Sequence, residues 1–197
     1  MSNTDTARER VFTSDSPRNV LSSWFNALQQ RKAFFGGVPV SGRAWRAELR
    51  RAQAPYGVMM HEGFYALCQQ LEKVMPLDNT DRLALAIFAT VAAHVDANTT
   101  KPSFAAQLGE NLQGRPCLST LRFDALQQTT EQAEFCRLLI RAVKLRGGAG
   151  VNIVSLADGI FLWMREWQAR EEHKPQERNP FERHHIRWAS EYLSAGK

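Results

Sequence analysis

With 197 residues, 44% of them apolar, the chain holds enough material for one sizeable core or two small lobes without disulfide or metal staples. A formal charge of +5, from 25 Lys and Arg against 20 Asp and Glu, makes polyanionic partners reasonable without requiring them, because so modest an excess also occurs in proteins with no such role. Cys68, Cys117 and Cys136 are odd in number, far apart and in no C-x-x-C pair, which argues against a disulfide framework and for reduced, buried thiols in a cytoplasmic protein.

In chain order, residues 1–16 are Ser, Thr, Asp and Arg with almost nothing apolar, and read as a mobile lead-in without the apolar core of a signal peptide. Ser16 before Pro17 signals a helix start, and Leu21, Trp24, Phe25 and Leu28 follow at one-face helical spacing. "FFGGVPVSG" breaks the chain and delivers it to "SGRAWRAELRRA", residues 41–52. A helix is expected in "GVMMHEGFYALCQQLEKVM". Asp78 or Asn79 then caps "TDRLALAIFATVAAHV", whose apolar residues run nearly all round, the mark of a central helix packed on several sides.

"DANTTKPS" is polar, contains a proline and reads as a link between lobes. Beyond it helices are expected near "FAAQL", in "LSTLRFDALQQ" and in "EQAEFCRLLIRAVKLR", with "GGAG" as a stop. Asn152 caps the next, where Ile153, Leu156, Ile160, Trp163 and Trp167 form an apolar stripe. Asn179 before Pro180 opens the last, with Phe181, Ile186, Trp188 and Leu193 inward. No hairpin signal, internal repeat or apolar run of the roughly 20 residues that span a bilayer stands out. The expected fold is all-α, a two-lobed helical bundle with no sheet: lead-in 1–16, N-terminal lobe 17–97, linker 98–102 and C-terminal lobe 103–197.

On a helix of about 100° per residue, Arg43, Arg46, Arg50 and Arg51 fall within an arc of roughly 140°, opposite Trp45 and Leu49. Trp45 is the core anchor of such a segment, not a stacking platform. Like charges at i,i+3 and i,i+4 repel by a few tenths of a kcal/mol per pair, and only Glu48 offsets them in sequence. The stripe therefore needs carboxylates from elsewhere, or phosphates. A second stripe, Arg137, Arg141 and Lys144, stands opposite Phe135, Leu139 and Ala142. Arginine dominates both, which suits bidentate contacts to phosphate oxygens.

Chemistry of other kinds finds little support. His61, His94, His173, His184 and His185 sit in no H-E-x-x-H or Cys/His zinc spacing and read as solvated or snorkelling. "KLRGGAGVN" lacks the Lys-Ser or Lys-Thr close of a phosphate loop. Carboxylate pairs such as Asp78 with Asp81 lie at polar helix ends, where they favour the dipole or face water. The expectation is a protein that is not an enzyme, with no metal and no cofactor.

"SSWFNAL", "GRAWRAELRRA", "FYALCQQL", "RFDALQQ", "FCRLLIRAVKL", "GVNIVSLADGIFLWM" and "IRWASEYL", in this order from about Leu21 to Leu193, resemble the small subunit of the type I-E CRISPR Cascade complex, the CasB family. The resemblance implies an all-helical, non-catalytic subunit, paired as a dimer within the complex, that binds nucleic acid with little sequence preference. Its partners would be the crRNA, the target and displaced DNA strands during R-loop formation, and other Cascade subunits. Carried onto this chain, Arg50, Arg51, Arg122, Arg137 and Arg141 are the basic residues the family presents, while Arg43, Arg46 and Lys144 join them on helical geometry. A scaffold whose basic faces dock acidic protein partners is the alternative. Neither "EEHKPQERNPFERHH" nor the lead-in matches a family feature.

Overall fold

Helix α1 (Asp15–Leu28) buries Leu21, Trp24, Phe25 and Leu28, as the spacing predicts, and carries Pro17 in its first turn, where a missing N–H goes unused. The computed structural model describes residues 11–195. Order begins before residue 16, which corrects the expected lead-in. Phe12 is fully buried edge-on to Phe161, and its amide N–H donates to Asp158 at 2.9 Å. Residues 1–10 lie outside the described residues.

The glycine break after α1 is a hairpin. Strands β1 (Ala33–Phe35) and β2 (Val38–Val40) pair antiparallel through Gly36 and Gly37, with φ of 63° and 83°. Two successive positive φ angles match the twist of a tight hairpin, and glycine supplies them without steric cost. A second hairpin joins β3 (Asn111–Leu112) to β4 (Arg115–Pro116) through Gln113 and Gly114, also with positive φ. The chain is thus mostly helical, with two small sheets where none was expected.

Helix α2 (Gly42–Arg51) buries Trp45 and Leu49. The next segment divides: a 3-10 turn at Gly57–Met60 precedes α3 (Glu62–Glu72), so the helix expected from Gly57 starts five residues later. Helix α4 (Asn79–Ala92) is capped by the Asp78 carboxylate, which accepts from the Asp81 N–H at 2.7 Å. It lies against α2, α3, helix α7 (Gln132–Arg146) and helix α8 (Ile153–Glu171), and its apolar residues Ala84–Phe88 and Val91 are fully buried. Asp81, expected at a polar end, is buried at the α4–α8 contact and accepts from Arg165 at 3.1 Å.

Residues 98–102 run beside the start of α8: Thr99 N–H donates to Val151 O, and the Asn152 amide donates to Thr100 O and Pro102 O. Asn152 also caps α8, accepting from Ser155 N–H at 3.0 Å. Helices α5 (Phe104–Gly109), α6 (Thr120–Gln127) and α9 (His184–Ala195) complete the far side, α9 packing on α5 and α8. Gly159 lets Trp188 lie flat on α8, where any Cβ would overlap the indole. Asn179 and Pro180 open a 3-10 turn before α9 rather than α9 itself, and Phe181 and Leu193, expected inward, are exposed.

Candidate nucleic-acid interface

Both cationic stripes lie on helices that contact α4, and Arg46, Arg50 and Lys144 from them stand near His94, just beyond its C-terminal end. A helix end of that kind leaves carbonyls without intrahelical donors and carries the negative pole of the dipole. Cations collect there. Arg46 donates from Nε to Ala93 O at 2.9 Å and from Nη2 to Val95 O at 2.6 Å and Asp96 at 3.2 Å, while Nη1 reaches Gln29 Oε1 at 2.9 Å. Its side chain is only 18% exposed. The guanidinium is committed to the protein's own carbonyls.

Half-buried His94 follows directly on this helix end. Arg50 Nε lies 3.5 Å from its Nδ1. Burial, then the charges of Lys144, Arg50 and Arg46, in that order, hold the imidazole down at about 4, so it is neutral at pH 7. Lys144 comes from α7 and Arg50 from α2. The two stripes thus converge on one neutral residue that adds no charge between them.

The other sequence-predicted residues divide by what they touch. Arg51 is exposed with no side-chain partner among the described residues. Arg43 is exposed and donates to Gln29 O at 3.3 Å. Arg137 is exposed but paired with Glu134 at 2.7 Å, one helical turn away. Arg122 on α6, with Arg141 and Lys144 on α7, surrounds a single groove between the two helices, and all three are exposed. Phe135, Leu139 and Ala142 are buried beneath, as the stripe geometry requires.

Sequence reasoning assigned no role to His94 or Arg146. The Arg146 side chain is 3% exposed; it donates to Gly150 O, Gln107 O and Glu110, the last at 2.6 Å, and ties the end of α7 to α5. Its signal was slight: it closes a basic helix ahead of glycines, where the last carbonyls need donors. His184, expected to be solvated or snorkelling, is instead buried 4.3 Å from Trp188, and burial with nearby Arg187 holds it down at about 3.

Burial pushes the Cys136 thiol up to about 12 and Cys68 up to about 11, so both stay protonated at neutral pH, the reverse of an activated nucleophile. Among the described residues no three of His, Cys, Asp and Glu gather as metal ligands, and no helix is long and apolar enough to cross a membrane. A family model described as CRISPR-associated protein Cse2 matches residues 45–193. No curated protein and no solved structure matches the chain.

Proposed function

The chain belongs to the family of the CRISPR-associated protein Cse2, which makes it a CRISPR Cascade subunit, and from that premise we propose that it is a non-catalytic subunit that binds nucleic-acid backbones without regard to sequence. It steadies the hybrid of crRNA and target and holds the displaced DNA strand while the R-loop forms, acting in the cytoplasm beside other Cascade subunits and a second copy of itself. The observation that supports this reading is that Arg50 of α2 lies 3.5 Å from His94 while the charge of Lys144 of α7 bears on the same imidazole, so cations of both helices stand near one residue.

The path runs from Arg51 and Arg50 past His94 to Lys144, Arg141 and Arg122, with Arg43 at the far end of α2. Pairing between guide and target supplies sequence discrimination, and exchange of one duplex for another is nearly balanced in energy, so contacts to phosphates tip it. Arginine forks hold phosphate oxygens in fixed geometry, and each phosphate neutralised releases counterions. Arg46 takes no phosphate in this scheme; it ties α2 to the end of α4.

Fluorescence anisotropy with labelled single strands of unrelated sequence tests the proposal. The wild type binds them alike, with a slope of log affinity against log salt on the order of −2 to −4 for three to six phosphates of a single strand. Arg50→Glu with Arg51→Glu weakens binding to all of them equally. Unchanged binding by that variant contradicts the proposal, as does a preference for one sequence.

A further inference from the structure

The groove between α6 and α7 is about 600 Å³ and combines two chemistries. Leu118, Leu126, Leu138 and Leu145, with Ala125, line its interior, while Arg122, Arg141 and Lys144 also line it and, among the described residues, no carboxylate does. Leu145 is 45% exposed. Leu118 and Leu126 belong to the core and Leu138 is half-buried against it, so Leu145 is the exposed leucine of the lining, and a track that only follows phosphates has no use for an apolar floor beside its cations.

From this pairing we propose that the groove receives one unstacked nucleotide of a single strand, with its base on the leucines and its flanking phosphates on Arg122, Arg141 and Lys144. The inference rests on the nucleic-acid-binding reading above and adds a selectivity to it. A flat, weakly polar ring between two anionic groups matches an apolar floor with cations around it; a duplex, whose bases are stacked inside, presents only its phosphates. Lys144 belongs both to the groove and to the surroundings of His94, so a strand following the positive path from α2 arrives at the floor. The absence of carboxylates from the lining favours this polyanion over a segment of mixed charge. The groove therefore makes the path favour single strands over duplexes of equal charge.

The test compares the full chain's affinity for a labelled oligothymidylate, an abasic strand of the same length and backbone, and a duplex. Wild type binds the base-bearing strand roughly tenfold tighter than the abasic one, with equal salt slopes, the factor expected from removing about 50 Å² of apolar surface from water. Ala125→Met fills the groove from an exposed position on α6 without adding a charge or an aromatic face, leaves every cation in place and abolishes the difference while keeping the slope. Leu145→Gln does the same from α7 and serves if the larger side chain disturbs α6.

Equal affinity of the wild type for abasic and base-bearing strands overturns the inference while leaving the phosphate path standing; no binding of either strand overturns the functional reading itself. A base preference that survives both variants puts the base elsewhere and also overturns it. So does displacement of the strand by an acidic leucine-rich peptide when no base preference exists, which makes the occupant a protein.

Discussion

The cationic faces of α2 and α7 look alike in sequence and differ in what lies beside them. Next to α2 is the end of α4, whose orphan carbonyls draw Arg46 inward and leave Arg50 and Arg51 facing out. Next to α7 is α6, whose Ala125 and Leu126 line the shared groove, and Arg141 and Lys144 stay at the surface beside them. An arginine is free for a ligand only where no unsatisfied acceptor lies within its reach. Helical spacing places the charge on a face; the neighbouring helix decides whether that charge remains available.

Breaking the α2 side at Arg46 gives the largest effect. Arg46→Ala strips donors from Ala93 O and Val95 O in a mostly buried setting and costs about 3 kcal/mol of stability, measured by urea denaturation with an unchanged m-value. The folded fraction keeps the wild-type salt slope, because no phosphate contact is lost. A loss of slope without a loss of stability reverses the assignment.

Breaking the α7 side reads out the opposite way. Arg141→Glu with Lys144→Glu leaves stability within about 0.5 kcal/mol, as expected for exposed positions, and lowers affinity for any single strand by about tenfold or more at low salt. The slope becomes shallower by about 0.7 for each phosphate contact removed from a single strand. Anisotropy titrations across a salt series check both numbers.

A third probe asks whether pH acts through the fold or through the path. His184 is held near 3 against an ordinary value of 6.5, so the folded state binds fewer protons than the unfolded one and stability falls as pH drops below 6.5 toward about 3. Its share is about 2 kcal/mol by pH 5. Glu166, pushed up by burial, works in the opposite direction, so the comparison is between variants at each pH. His184→Phe, which also removes a buried Nε2 with no hydrogen-bond partner among the described residues, gains on the wild type progressively as pH falls below 6.5 in thermal denaturation. A constant difference at all pH values contradicts that account. Smallest of all, Arg137→Ala breaks an exposed pair with Glu134 and shifts stability by less than about 0.5 kcal/mol.

Much of the helical frame was legible because its signals are local. The caps at Asp78 and Asn152, the inward Trp45 and the buried triplet Phe135, Leu139 and Ala142 follow from spacing and capping chemistry alone. The Gly36-Gly37 hairpin was missed: its glycines and proline were read only as a break in the chain, although paired glycines between short apolar runs are a turn signal. What was hidden depends on distant partners. Phe12 looked isolated because Phe161 and Asp158 lie more than 140 residues away. His94 gained its place only when α4 set it near Arg50, 44 residues before it, and Lys144, 50 residues after it, and no periodicity reports which arginine will reach a foreign helix end. The groove was half visible: Leu138, Arg141 and Leu145 recur at i, i+3 and i+7, but its other wall is α6.

The central claim is that α2 and α7 form one path across His94, and a strand of about eight nucleotides tests it most directly, since that length falls within the range of a single-strand binding site. Its affinity is to be compared for wild type, Arg50→Glu, Lys144→Glu and the double variant at one salt concentration. Each single variant should weaken the short strand, and the double more than either. If the strand is indifferent to one of the two substitutions, the stripes serve separate sites and the single path does not exist.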